Sequence, residues 1–133
     1  MFCGIVAGSV PAFVVASPPD GVAFLDTRPV FKGHVLVVPR VHMVQLTDLP
    51  PDLLPGYFGF VQRVAAAVPA ATGAQGTFVA INNIVSQSVP HLHTHVVPRT
   101  KGDGLRGFFW PRHRYDSDEE ATAVAASIAK ELG

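Results

Sequence analysis

Residues 86–99 read Ser-Gln-Ser-Val-Pro-His-Leu-His-Thr-His-Val-Val-Pro-Arg, and the alternation inside that stretch decides how the chain is read. Side chains on a strand alternate faces, so a strand over His91–Val97 puts His91, His93 and His95 on one side, ~6.5–7 Å from one to the next. Leu92, Thr94 and Val96 face the other way. Three of the chain's six histidines fall within five residues. A lone buried histidine is ordinary core, but packing has no use for three in a row on one face. Two chemistries do. Imidazoles at i and i+2 are good metal ligands, although such sites normally add a carboxylate or a further histidine. No Asp or Glu lies between Asp52 and Asp103. In the other chemistry one imidazole is a nucleophile and its neighbours orient it and manage protons.

Outward from this stretch, short strands alternate with dense turn clusters. Ile5–Ala7 reads as a short turn, and Phe13–Ala16, Val22–Asp26 and His34–Val38 as strands. The last of these is nearly all apolar and ends at Pro39, the pattern of a central strand buried on both faces. From Asp52 to Ala71, apolar residues recur at three- and four-residue spacings, which predicts the main helix. Gly73 and Gly76 end it, Thr77–Asn82 is a strand leading into a polar loop, and Asp118–Leu132 is an Ala-rich closing helix. This order predicts an α+β fold, an antiparallel sheet of about five strands with the long helix packed on one face. Residues 1–133 suit a single domain, with 1–99 as its core and 100–133 as a C-terminal loop and helix.

Bulk composition narrows the function. Ten basic and ten acidic side chains cancel, which argues against broad nucleic-acid binding, where an extended excess of Lys and Arg neutralises phosphates. No apolar run approaches the ~18 residues needed to span a bilayer, so no membrane partner is expected. Cys3 is the single cysteine, so no internal disulfide forms, and with no leader pattern after Met1 the expected location is the cytoplasm. A mean hydropathy of +0.31 is high for so small a chain and suggests an apolar face covered by a second copy.

HLHTHVV resembles the signature of the histidine triad family: histidine, apolar, histidine, apolar, histidine, apolar, apolar. Its one departure is Thr94 in an apolar slot. FCGIVAG, AFLDTRP, GHVLVVPRVH and INN followed by SQSVPHLHTHVVPR resemble the family's other segments in the family's order, so the resemblance spans residues 2–99. Beyond Arg99, Trp110 in GFFWPR is similar to a tryptophan-proline pair of the Hint branch.

The resemblance implies a nucleotide hydrolase or nucleotidyl transferase that cleaves at the α-phosphorus of purine nucleotides, such as AMP-amidates, AMP-esters or dinucleoside polyphosphates. His93 would be the nucleophile, forming a nucleotidyl-imidazole that water resolves. Its other ring nitrogen would donate to a main-chain carbonyl of its own strand. His95 would donate toward the phosphoryl oxygens and leaving group, and His34 would sit close to the triad, although it also precedes an apolar strand as a core histidine would. His91 is the triad's hydrogen-bonding or structural member. Asn82, Gln87 and Ser88 would hold phosphate, with shaping of the loop as the alternative role for Gln87. Asp26 suits a ribose diol, though a strand-end carboxylate also caps the next loop. Phe2, Ile5, Phe24 and Leu25 would line the slot for the base.

Two departures stand out. The family's zinc site uses two cysteines and two histidines, and Cys3, His42 and His91 match three of these; without the other cysteine no structural metal is expected, and no cofactor is needed. Ile84 and Val85 stand where the family's phosphate loop has glycines. Lys101, Arg106, Arg112, His113 and Arg114, interleaved with Phe108, Phe109 and Trp110, suit a second phosphate or base, or an arm exchanged in a dimer. In the family the long helix and the strand carrying Val79 and Ile81 pack on their symmetry mates, which implies a homodimer. The alternatives are a non-catalytic nucleotide-binding module of the same fold and a metal-dependent enzyme built on the histidine row.

Overall fold

A computed structural model describes residues 1–105 and 112–133. Five strands form one antiparallel sheet: β1 (Val14–Ala16), β2 (Val22–Leu25), β3 (Val35–Val38), β4 (Gly76–Ile81) and β5 (Thr94–Arg99). Their spatial order is β1-β2-β3-β5-β4, which leaves β4 at an edge. The helices are α1 (Phe2–Ala7), α2 (Leu54–Thr72) and α3 (Asp118–Leu132), with 3-10 turns at Leu46–Asp48 and Pro51–Leu53 leading into α2. The α+β architecture expected from the sequence is therefore present. None of the described helices is long and apolar enough to cross a membrane.

Alternation along the strands builds two cores. Ala23, Val35, Val37, Leu92 and Val96 pack against Tyr57, Phe60, Val61, Val64 and Val68 of α2. On the opposite face, Val22, Phe24, Leu36 and Val38 pack against Phe2 of α1. All four residues of β3 are buried, as a central strand covered on both faces requires. α2 ends at Gly73, whose φ of 76° is left-handed and whose N–H bonds the Pro69 carbonyl at 2.9 Å.

Two elements differ from the sequence reading. The N-terminal turn is a full helix from Phe2, closed by Gly8 at φ 80°. More important for the site, β5 begins at Thr94 rather than at His91. The Leu92 N–H bonds the Met43 carbonyl, outside the sheet ladder, and the His91 N–H turns back to the Val89 carbonyl. Side-chain alternation nevertheless continues upstream: Leu92, Thr94 and Val96 are each 0% exposed on the α2 side.

The chain divides into two compact units, Met1–Asp103 and Gly104–Gly133. Within the second, α3 is capped by Ser117, whose Oγ accepts the Glu120 N–H at 3.1 Å. Asp118, Glu119 and Glu120 place negative charge at its N-terminal end and Lys130 lies in its last turn. The basic and aromatic residues 106–110 lie outside the described residues.

Candidate active site

Gly33 delivers His34 to the sheet. Its φ of 100° is closed to most side chains, and a Cβ there would lie 2.6 Å from Thr72 Cγ2. His34 is 3% exposed, and its Nδ1 accepts the Val30 N–H at 3.1 Å. A nitrogen that accepts carries no proton, so the neutral ring is protonated on Nε2. That Nε2 lies 3.0 Å from His95 Nδ1 and donates to it. His95 is then protonated on its own Nε2, leaving that N–H as a donor. Leu36 pairs with His95 and Val35 with Val96, so His34 and His95 meet diagonally across adjacent strands.

His93 has the reverse arrangement. Its Nδ1 lies 2.7 Å from the His91 carbonyl, which can only accept, so Nδ1 holds the proton and Nε2 carries a free lone pair. Phe2 stands edge-on to this ring at 5.1 Å, and the His95 ring lies 5.0 Å away. A cavity of about 240 Å³ opens beside them, lined by His93, His95 and Ser88 together with Phe2, Ile5, Phe24, Leu25 and Asp26. Its lining combines apolar side chains with donors and acceptors. The sequence reading missed Val10, Pro11, Ala12, Leu36 and Val89 in the same wall. Leu36 was findable, since it shares a strand face with His34; the others reach the cavity through loops that carry no periodic signal. A larger groove of about 610 Å³ between α2 and β1–β3 contains none of the histidines.

Asp26 is the strand-end cap that one of its two readings expected, and it also borders the cavity. Its Oδ1 accepts the Arg28 N–H at 2.8 Å, capping the turn. Its Oδ2 lies 3.8 Å from His34 Nδ1. Asn82 is exposed just past β4 and is not among the residues lining the cavity. Gln87 braces the loop: its Oε1 accepts the Ile84 N–H at 3.1 Å and its Nε2 donates to the Val44 carbonyl. The brace matters because Ile84 adopts φ 68° and Ser86 φ 62°. This loop keeps the left-handed backbone that glycines would favour, at a cost of about 1–3 kcal/mol for a β-branched residue.

The structure separates His91 from the other two triad members. Its Nδ1 lies 3.5 Å from Cys3 Sγ and 3.2 Å from His42 Nδ1, and Cys3 Sγ lies 3.2 Å from His42 Nδ1. These separations approximate the edges of a tetrahedron around an ion with bonds of about 2.0–2.3 Å, so the three donors fit zinc. His91 Nε2 is buried without a hydrogen-bond partner. Asp26, His34 and His95 also converge, but the hydrogen-bond chain already engages both His34 nitrogens and His95 Nδ1.

Burial pushes His95 down to about 4, helped by the neighbouring His93 and His34 and opposed by Asp26. Burial also lowers His34, against the raising effect of Asp26. An unfolded histidine takes up its proton near 6.5, so below that pH the unfolded chain binds more protons than the folded one. Stability should therefore fall as pH drops from about 7 toward 4 and level off below. Thermal unfolding across that window checks this, with a shallower slope expected for His95→Asn. A flat wild-type profile would contradict it.

The HIT domain model matches residues 7–102. The chain is 41% identical over 124 residues to an uncharacterized HIT-like protein of Mycobacterium tuberculosis, covering 92% of this chain and 86% of the relative. It is 31% identical over 134 residues to an adenosine 5'-monophosphoramidase of Schizosaccharomyces pombe, covering 99% and 97% respectively. The crystal structure of a HIT family member from Bacillus subtilis superposes with a TM-score of 0.90 at 36% identity, covering 100% of this chain and 96% of that one. With this family model matching most of the chain, and with its histidines in their hydrogen-bonded order, this protein belongs to the HIT domain family.

Proposed function

We propose that this chain cleaves purine nucleotides at the α-phosphorus through a nucleotidyl-His93 intermediate. The observation that carries the reading is the tautomer of His93: with Nδ1–H held by the His91 carbonyl, Nε2 keeps its lone pair in a residue that lines the cavity. In the first step Nε2 forms a bond to phosphorus as the bond to the leaving group breaks. The leaving group takes its proton from His95 Nε2–H, whose partner His34 keeps Nδ1 as acceptor. Water then attacks phosphorus and gives a proton back to His95 Nε2 as the P–N bond breaks, and His93 returns as a neutral ring with the mononucleotide released. Ser88 and the braced loop supply neutral donors for the developing phosphoryl charge. Asp26 meets the ribose, and Phe2, Ile5 and Phe24 meet the base.

Cys3, His42 and His91 would hold a zinc ion, which would tie α1 to the segment before β5; no catalytic step is routed through it. The named relative acts on an adenosine 5'-monophosphoramidate, which makes phosphorus–nitrogen esters of AMP the first substrates to try. The test is release of mononucleotide from a panel of adenylated and guanylated amidates, esters and dinucleoside polyphosphates, with His93→Ala as control. Binding without release from any of them would favour the non-catalytic nucleotide-binding reading.

The working form is proposed to be a homodimer in the cytoplasm. Among the described residues β4 is the last strand of the sheet, and its Val79 is 44% exposed. A two-fold contact along this edge would cover it. Sedimentation equilibrium at micromolar protein should give about twice 14.1 kDa. A fully active species of 14.1 kDa would rule this assembly out.

A further inference from the structure

Thr94 occupies a slot where the histidine triad pattern carries an apolar residue, and the reaction outlined above does not use it. It is 0% exposed, on the side of the sheet facing α2. Its Oγ1 lies 2.7 Å from the hydroxyl of Tyr57, itself 1% exposed. Tyr57 donates its single proton to the Val37 carbonyl at 2.9 Å, so the second bond must run from Thr94 O–H to the Tyr57 oxygen. Burial holds the Tyr57 hydroxyl far above its ordinary range, so it stays a donor across the working pH range.

The place of this relay gives it a consequence. Val37 and Thr94 are paired across β3 and β5, and the next pair along is Leu36 with His95. Thr94 is also the first residue of β5, so His93, one position upstream, lies outside the strand. The relay therefore ties the two strands together from below, at the point where the nucleophile leaves the sheet and next to the residue that carries the proton donor. An apolar side chain would fill the same volume, but dispersion contacts have no direction and set no register. A 2.7 Å hydrogen bond does both.

We infer that Tyr57 and Thr94 are positioning residues, a buried hydroxyl relay that fixes His93 relative to His95 and to the His34 contact behind it. This rests on the reading of His93 as nucleophile. The relay acts through the strand and touches no substrate.

The experiment measures kcat and KM on an adenosine 5'-phosphoramidate for the wild type, Thr94→Val, Thr94→Ser and the double variant Tyr57→Phe/Thr94→Val. Misplacing a reacting group by a fraction of an ångström affects the chemical step more than binding, so Thr94→Val should lower kcat about tenfold with KM within about threefold. Thr94→Ser keeps the hydroxyl and should stay within about threefold of wild-type kcat. The double variant removes both hydroxyls, so neither is left unmatched, and its unfolding midpoint should return toward that of the wild type while kcat stays low. If Thr94→Val keeps wild-type kcat, or if kcat recovers together with stability in the double variant, the relay is only structural and the inference fails. A second readout needs no turnover. Imidazole ¹⁵N signals of His93 and His95 should shift in Thr94→Val and not in Thr94→Ser, and unchanged signals in both would overturn it. Should the wild type release no nucleotide, the nucleophile reading fails instead, and the imidazole signals still decide whether the relay sets the ring geometry.

Discussion

A His93→Ala variant is expected to release mononucleotide at least a thousandfold more slowly than the wild type, while still binding nucleotide. The covalent route has one nucleophile, and a methyl group cannot replace the Nε2 lone pair. A thousandfold loss corresponds to about 4 kcal/mol of activation free energy, a usual scale for removing a group that bonds to the reacting atom. Binding should survive because Asp26, Phe24, Ile5 and Leu25, which also line the cavity, are left unchanged. Quenching the wild type during turnover in alkaline denaturant, where a phosphorus–nitrogen bond to histidine survives, followed by mass spectrometry, should find one nucleotidyl group on the chain and none on the variant. Retention of more than about a tenth of the wild-type rate would end the covalent mechanism.

The largest effect on stability is expected at Leu92. It lies between His91 and His93 in sequence, is 0% exposed, and packs in the α2-side core with Val35, Val37 and Val96. Leu92→Ala removes its contacts and leaves a void that the two adjoining layers can only partly close. The cost should be about 2–5 kcal/mol, which in a chain of this size lowers the unfolding midpoint by roughly 10 °C or more. Denaturant unfolding checks the first figure and a thermal melt the second. Nucleotide release should fall as well, since Leu92 anchors the backbone that presents His93. A loss below about 1 kcal/mol would mean that the core closes around the gap and that Leu92 is not a pillar of this layer.

Much of this protein was legible in its sequence because the relevant signals are local. A two-residue period over residues 91–97, an apolar run at Val35–Val38 and three- and four-residue spacings from Leu53 to Val68 are properties of neighbours along the chain. Strand and helix geometry turns them directly into faces. The sheet and the long helix on one side of it follow that logic, whereas the grouping of His93, His95, Ser88, Asp26, Phe2, Ile5, Phe24 and Leu25 around one cavity was an expectation from the family resemblance.

The tertiary structure alone decided what depends on partners distant in sequence. That His91 parts company with its two neighbours could not be read from the alternation, because it follows from the Leu92 N–H pairing with Met43 and from Cys3 and His42 converging on the ring. Gln87 braces Ile84, the loop-shaping alternative already open to it, while Asn82, read as a phosphate donor, stays exposed and away from the cavity lining. Ring tautomers belong to the same class. Whether an imidazole nitrogen carries a proton depends on whether a carbonyl or an N–H faces it, and Val30 and the His91 carbonyl supply those partners only once the chain has folded. Periodicity fixes which side of an element a residue occupies, but hydrogen-bond direction and burial depend on atoms that three dimensions bring together. For this chain the sequence alone put three histidines in alternation, and only the fold determined which ring nitrogen of His34, His93 and His95 holds a proton.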